Sequence, residues 1–188
     1  MMKQNRKWLL VLVVIVLVAG GMLYSAGYLK TGKQAAKAAE ASAEQVFYSD
    51  HVETNESLEH VSLYVPEHME VSKEQPNNIQ LNSNGQKYLV FYNPYEQLTS
   101  DTFYESAKAE DELLIQSFQS DEATDKASTD RFGYIRVLAL EDDYELQVSV
   151  GGVKMTTVTE KHKLDEDAKD MMEVVLSIAY ETSKGDTK

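Results

Sequence analysis

Residues 79–92, which read Ile-Gln-Leu-Asn-Ser-Asn-Gly-Gln-Lys-Tyr-Leu-Val-Phe-Tyr, contain the strongest local signal in the chain. Asn84-Gly85 in its middle is a favoured pair for a type I′ turn, the two-residue turn that joins neighbouring antiparallel strands. With that turn, the apolar residues of both strands lie on one face in two pairs, Leu81 with Tyr88 and Ile79 with Val90. The turn and the alternation agree, so the sequence predicts a β-hairpin with one buried face.

A second hairpin is predicted around Gly151-Gly152, between residues 144–150 and 153–159. The turn sets the two strands in register, with Val150 opposite Val153, Val148 opposite Met155, Leu146 opposite Thr157 and Tyr144 opposite Thr159. The other face pairs Ser149 with Lys154 and Gln147 with Thr156, and we expect it to meet water. Residues 132–140, just upstream, are apolar on both faces, as expected for a central strand.

Two helices are predicted beside these strands. Asp101 can cap a helix that runs to about residue 120, with one apolar stripe of Phe103, Ala107, Leu114 and Phe118. The closing helix begins at Asp165 or Asp167, and its apolar side consists of Ala168, Met171, Met172, Val175, Ile178 and Ala179. Its early acids, Asp165, Glu166, Asp167 and Asp170, complement the positive end of the helix dipole and need no functional explanation.

Two short strands are expected earlier, at residues 60–65, ended by Pro66, and at 69–72, followed by a polar loop at 73–78. The complete order is strand, strand, hairpin, helix, three antiparallel strands, helix. Strands and helices do not alternate, so the fold class is α+β, an antiparallel sheet backed by two helices.

This order of elements, with its two hairpins and its closing helix, resembles the Mog1/PsbP-like domains over roughly residues 58–182. That family includes bacterial extracytoplasmic lipoproteins. The resemblance implies a domain that binds partners more often than it performs chemistry, and it transfers no functional residue to this chain.

The N-terminal region contains an uncharged run, residues 8–29, between Lys7 and Lys30. As a helix it would be about 33 Å long, enough to cross a hydrocarbon core of about 30 Å. A cleaved signal peptide is the alternative, but Tyr24-Ser25-Ala26 is a poor cleavage site. The flanking charges are nearly balanced, with Lys3, Arg6 and Lys7 on one side and Lys30, Lys33 and Lys37 on the other, but the N-terminal ones lie closer together on a short tail, which favours a cytoplasmic N-terminus. We expect an uncleaved single-pass anchor in the cell membrane, with the C-terminal domain outside.

The expected layout has five parts: a cytoplasmic tail (1–7), a transmembrane helix (8–29), a helical stalk or linker (30–57), the α+β extracytoplasmic domain (58–182) and a tail (183–188). Residues 31–45 are rich in alanine, which favours helix, but they have no larger apolar stripe. We therefore expect the stalk to pack on little and to act as a spacer.

Charge and composition exclude several classes of function. Residues 1–45 hold six Lys or Arg and two acids, a balance of +4, which leaves −17 for residues 46–188 out of a total of −13. A domain that acidic repels phosphate backbones, so no nucleic-acid partner is expected. The chain has no cysteine, which excludes disulfides, zinc-thiolate sites and thiol nucleophiles.

No catalytic, cofactor or metal signature is present. The four histidines lack the usual zinc spacings, and no serine lies in a nucleophile turn. Acids are abundant, so a hydrolase that uses paired carboxylates stays open as an alternative. Two carboxyls within about 10 Å of each other in a cleft would favour it. A structural subunit of a membrane complex, with an interface but no pocket, is a third possibility.

Aromatic residues are the remaining candidates for function. Tyr92, Phe132 and Tyr134 lie on strands with apolar groups on both sides, so one side of the sheet could be an exposed aromatic face that binds a protein partner at the cell surface. Alternatively, these strands are covered on both sides. The leading prediction is a non-catalytic, membrane-anchored accessory or binding protein of a bacterial envelope.

Overall fold

A computed structural model describes residues 12–22, 30–49, 52–108, 113–120 and 129–184. The helices are α1 (12–22), α2 (Gly32–Phe47), α3 (Thr102–Ala107) and α4 (Leu164–Lys184). The strands are β1 (Glu56–Ser57), β2 (Ser62–Leu63), β3 (Glu70–Gln75), β4 (Asn78–Ser83), β5 (Gln86–Tyr92), β6 (Leu114–Ser120), β7 (Arg131–Ala139), β8 (Tyr144–Val150) and β9 (Val153–Thr159).

Seven strands form one antiparallel sheet in the order β3-β4-β5-β9-β8-β7-β6. Helices α2 and α4 pack against each other and against the same face of this sheet. We call that face the inner face, and the opposite one the outer face. The β1–β2 ribbon is separate from the seven-stranded sheet and contacts α4. The predicted α+β class and the antiparallel sheet are confirmed.

Both predicted hairpins are present in the predicted register. Asn84 and Gly85 have φ of 49° and 89°, the two positive values that a type I′ turn requires. The pairs in the first hairpin are Leu81 with Tyr88 and Ile79 with Val90. In the second hairpin, all six predicted pairs are found. Local turn chemistry and period-two alternation were sufficient here because both act over a few residues.

The predicted helix from 101 to about 120 is wrong in its second half. α3 ends at Ala107, and Leu114–Ser120 forms the edge strand β6, paired along its length with β7. Asp101 occupies the cap position of α3, but its side chain makes no capping hydrogen bond. The 4, 7, 4 spacing fits a helix, yet Leu-Ile-Gln-Ser-Phe is equally compatible with a strand, and pairing with β7 decides.

The first strands also differ from the prediction. The strand expected at 60–65 is only Ser62–Leu63, paired with β1. The expected loop at 73–78 is mostly strand, because β3 continues to Gln75 and turns through Pro76-Asn77, where Asn77 has φ of 63°. Asparagine tolerates this left-handed conformation better than most residues do, so a two-residue turn fits where a longer loop was expected.

α2 packs into the core, so the expectation that the stalk packs on little is wrong. It buries Ala35, Ala36, Ala39, Ala43, Val46 and Phe47. Alanines allow α2 and α4 to approach closely, which a search for large apolar residues does not detect. At its C-terminus, the buried Arg131 guanidinium donates to the carbonyls of Phe47 and Ser49 and lies over the Phe47 ring. The two helices behind the sheet are therefore α2 and α4.

The predicted transmembrane segment is only partly described. Residues 12–22 are helical, and their apolar side chains are largely exposed, as for Leu12, Ile15 and Leu17. Residues 8–11 and 23–29 lie outside the described residues, as do the 1–7 tail and positions 185–188 of the expected C-terminal tail. Within the described ranges, no helix combines the length and the apolar character needed to cross a bilayer.

Candidate functional site

The three aromatic residues predicted for partner binding do not form one exposed face. Tyr92 is buried on the inner face. Phe132 and Tyr134 lie on the outer face, where the Tyr104 ring from α3 packs on both at centroid distances of 5.5 and 5.9 Å. Tyr134 is fully buried, its hydroxyl contacts Gln147, and burial raises its pKa to about 12. At these positions the sheet is covered on both sides.

Other apolar side chains on the outer face are exposed. Leu89 is 56 % exposed, Val158 50 % and Phe91 37 %. They lie on the adjacent strands β5 and β9, and Phe91 meets Phe103 of α3 edge-on, with ring centroids 5.8 Å apart. The apolar side chains of the outer face are therefore exposed next to α3, at positions that this helix does not cover.

A shallow groove of 180 Å³ adjoins these residues across β3, β4 and β5, and we call it the outer groove. Its lining includes Lys73, Gln75, Asn78, Gln80 and Leu89. The outward-facing side chains of β4, β5 and β9 alternate with the buried rows and comprise Asn78, Gln80, Asn82, Lys87, Leu89, Phe91, Lys154, Thr156 and Val158. None of these nine is acidic, in a region of the chain that carries −17.

A second cleft, of 260 Å³, opens on the inner side at the start of α4, and we call it the polar cleft. It is lined by His68, Ser83, Asn84, Gln86, Tyr88, Lys163, Glu166 and Asp167. The β4–β5 turn supplies one wall and the first turn of α4 supplies the other. Polar residues converge here because the inner rows of the two hairpins end in Ser83 and Thr159.

Asp167 is the centre of the polar cleft, and it is buried. The Tyr88 hydroxyl donates to its Oδ1 at 2.7 Å, the Gln86 amide donates to its Oδ2 at 3.0 Å, and the Thr159 hydroxyl also donates to Oδ2. Burial, and then the charge of Asp167, raises the pKa of Tyr88 well above its ordinary value of 10.0. Three donors thus hold this carboxylate in one position.

One turn further along α4, Asp170 is also buried. Its Oδ2 lies 3.1 Å from His68 Nε2, and no donor among the described residues makes a well-directed hydrogen bond to it. Burial raises the pKa of Asp170 to about 6, while the nearby His68 partly opposes that rise. The pair links α4 to the segment that leads into β3.

Sequence reasoning missed both buried acids, because the helix dipole is a sufficient explanation for acids at the start of a helix. A signal was present, however. The predicted register already placed Thr157 and Thr159 on the apolar face of the second hairpin, and a polar residue in a buried row needs a partner. Asp167 supplies that partner to Thr159.

The polar cleft contains two carboxyls, Glu166 and Asp167, which is the arrangement expected of the alternative hydrolase. Asp167, however, already accepts three hydrogen bonds, which favours a structural role. Among the described residues, no group of three or more His, Asp or Glu side chains could hold a metal ion. The chain matches none of the protein-family models and none of the curated proteins with which it was compared.

Proposed function

We propose that this chain is a membrane-anchored, non-catalytic accessory or binding protein of a bacterial envelope. Its contact surface is the exposed part of the outer face, formed by Leu89, Phe91 and Val158 beside the outer groove. The exposure of these three side chains carries the proposal, because clustered apolar groups on a surface mark interaction sites. The buried polar groups of the polar cleft, in contrast, are largely satisfied by one another.

The anchor in this proposal is residues 8–29, with the N-terminus in the cytoplasm and the domain outside. The uncharged run, the helix at 12–22 and the exposure of its apolar side chains support it. The chain should remain in the membrane fraction after a high-salt wash, and protease added to intact cells should remove the domain. A mature form that begins after Ala26, or complete protection from protease, would contradict the anchor or its orientation. The resemblance to Mog1/PsbP-like domains belongs to the same proposal.

The contact surface is tested by cross-linking in intact cells. Leu89→Asp should abolish the cross-linked species that the wild-type chain forms. The matched control is Leu140→Asp, which changes another exposed leucine in the same way in the β7–β8 turn. Loss of cross-linking in both variants, or in neither, would contradict the assignment of the surface to the outer face.

The second candidate function is the hydrolase, which the two carboxyls in the polar cleft favour. Glu166→Gln and Asp167→Asn should each abolish function in a folded protein if this candidate is correct, while Leu89→Asp should have no effect. Our proposal predicts instead that Glu166→Gln leaves function intact and that Leu89→Asp abolishes it. The comparison needs an unfolding measurement on each variant, because Asp167 also stabilises the fold.

A further inference from the structure

We infer that the outer groove binds a short acidic segment of a partner protein, one whose carboxylates alternate with apolar side chains. This inference rests on the proposed function, because it names the chemistry of the partner at the same surface. It follows from the size of the groove, from the lysines around it and from the exposed side chains beside it.

The size of the outer groove points to a protein segment. At 180 Å³ and open to solvent, it is smaller than the roughly 300–1,000 Å³ of a typical small-molecule site. Apolar side chains of a partner could enter it and extend over Leu89. Phe91 and Val158 would then continue the apolar contact onto β9.

Lysines on the outer face indicate that the partner segment is negatively charged. Within the described residues, Lys73 and Lys87 form no ion pair, and the nearest described aromatic partner of Lys154 is Phe103, whose ring centre lies 4.9 Å from Nζ. The outward rows of β3, β4, β5 and β9 hold these three lysines and one acid, Glu70, which accepts a hydrogen bond from Asn82, so this surface carries a net positive charge although the region as a whole carries −17. Carboxylates beside apolar groups complement this surface.

The negative charge of the whole domain favours a short acidic segment over an extended polyanion as the partner. Nucleic acid or an anionic bilayer presents negative charge over a wide area, so it would also meet the acidic remainder of the domain. A short acidic segment can contact Lys73, Lys87 and Lys154 without extending over the acids on the rest of the domain. The occupant is therefore an acidic peptide segment and not a phosphate-rich surface.

The test uses the full chain in zwitterionic phosphatidylcholine nanodiscs. The probe is a short fluorescein-labelled peptide of alternating glutamate and leucine, and the comparison peptide has lysine in place of glutamate. Fluorescence anisotropy should show saturable binding of the acidic peptide and none of the basic one. Equal binding of both peptides, or binding of neither, would overturn the inference.

Two charge-reversed variants locate the binding. Lys73→Glu with Lys87→Glu should weaken binding of the acidic peptide at least tenfold. Lys33→Glu with Lys161→Glu makes the same change in net charge away from the outer face and should leave binding within about twofold. Lys73→Gln with Lys87→Gln repeats the test with a smaller perturbation of the sheet. Equal losses in the two charge-reversed pairs would indicate only a long-range charge effect and would contradict the site.

Two further results separate this inference from the function on which it rests. If Leu89→Asp abolishes the cellular cross-link but the acidic peptide does not bind, the inference is wrong and the proposed function stands. If the nanodisc-borne chain instead aggregates vesicles that contain phosphatidylglycerol, and Lys73→Glu with Lys87→Glu prevents this, the occupant is a lipid surface and the inference is overturned.

Discussion

The polar cleft and the outer groove lie on opposite faces of one sheet. They differ in whether their charged side chains have partners within the protein. In the polar cleft, Asp167 accepts three hydrogen bonds from the protein itself. On the outer face, Lys73 in the outer groove and Lys87 beside it on β5 have no ion-pair partner among the described residues. A buried polar group without a partner costs about 1–3 kcal/mol, whereas an exposed one is solvated by water. A carboxylate in a cleft can therefore have a purely structural role, whereas lysines on a surface that have no ion-pair partner are available to contact another protein.

Asp167→Ala should have the largest effect on stability, because it removes the carboxylate at the centre of the polar cleft. The substitution leaves the Tyr88 and Thr159 hydroxyls without an acceptor, while Gln86 keeps its bond to Thr157, so we expect it to lower the free energy of unfolding by about 3 kcal/mol. Urea unfolding followed by circular dichroism measures the loss. Lys87→Ala on the outer face is the control and should cost less than about 0.5 kcal/mol. Similar losses for both variants would remove the distinction between the two surfaces.

Asp170→Asn should give the next largest effect, and it depends on pH. Burial raises the pKa of Asp170 from its ordinary 3.8 to about 6, so the fold favours the protonated acid. Its contribution to stability is complete below about pH 3.8 and is lost as the pH rises through about 6. At pH 8 the wild type has therefore lost about 2–3 kcal/mol that it has at low pH, and the asparagine variant has not.

The measurement for Asp170 is the difference in unfolding free energy between variant and wild type at pH 4.5 and pH 8. The variant should gain stability relative to the wild type as the pH rises. Asp165→Asn on the same helix is the control, because this acid pairs with Lys30 and is not among the charges that shift the pKa of Asp170. A pH-independent difference for Asp170→Asn would show that the ionised carboxylate is not penalised by burial.

Gly85→Val tests the turn that carries one wall of the polar cleft. With φ of 89° at this position, a β-branched residue is strained, and we expect a loss of about 1–3 kcal/mol. Asn82→Val, on the outer face of β4, is the control and should change stability by less than about 0.5 kcal/mol. If Gly85→Val is equally harmless, the turn is not the type I′ turn described.

The smallest expected effect on stability is that of Leu89→Thr. Leu89 neighbours the buried Tyr88 in sequence but points to the outer face, where it is 56 % exposed. Threonine suits a strand, so the change should be within about 0.5 kcal/mol, while Tyr88→Phe should cost about 1.5–3 kcal/mol through loss of the bond to Asp167. Thermal unfolding compares the two. A larger loss for Leu89→Thr would mean that its side chain contributes to the core.

The parts of the fold that were predicted correctly have local causes. The turn at Asn84-Gly85 and the alternation around it determine their own hairpin, and the second hairpin follows the same logic at Gly151-Gly152. In α4, the apolar positions from Ala168 to Ala179 repeat at helical spacing, and all six predicted residues are buried. These signals act within about a dozen residues, and in these elements the tertiary contacts agree with them.

The parts that were wrong depend on distant contacts. The residues of β6 fit a helix or a strand until β7 pairs with them. Helix α2 has only small apolar residues, apart from Val46 and Phe47 at its end, and becomes part of the core because α4 accepts its alanines at close range. In both cases the deciding partner lies far away in the chain, where no short window of sequence can include it.

Turn chemistry and the alternation of apolar residues specify the register of the hairpins, and therefore that Leu89 and Tyr88 point to opposite faces. Which face each helix covers depends on packing between distant elements, since α2 and α4 lie on the inner face and α3 on the outer. The same holds for Asp167, whose donors Gln86 and Tyr88 are 81 and 79 positions away and Thr159 is 8 positions away. The alternation of apolar and polar residues specifies which way each side chain points within a strand, because strand geometry has a period of two residues. Burial and hydrogen-bond partners depend on the assembled fold, because they arise between elements.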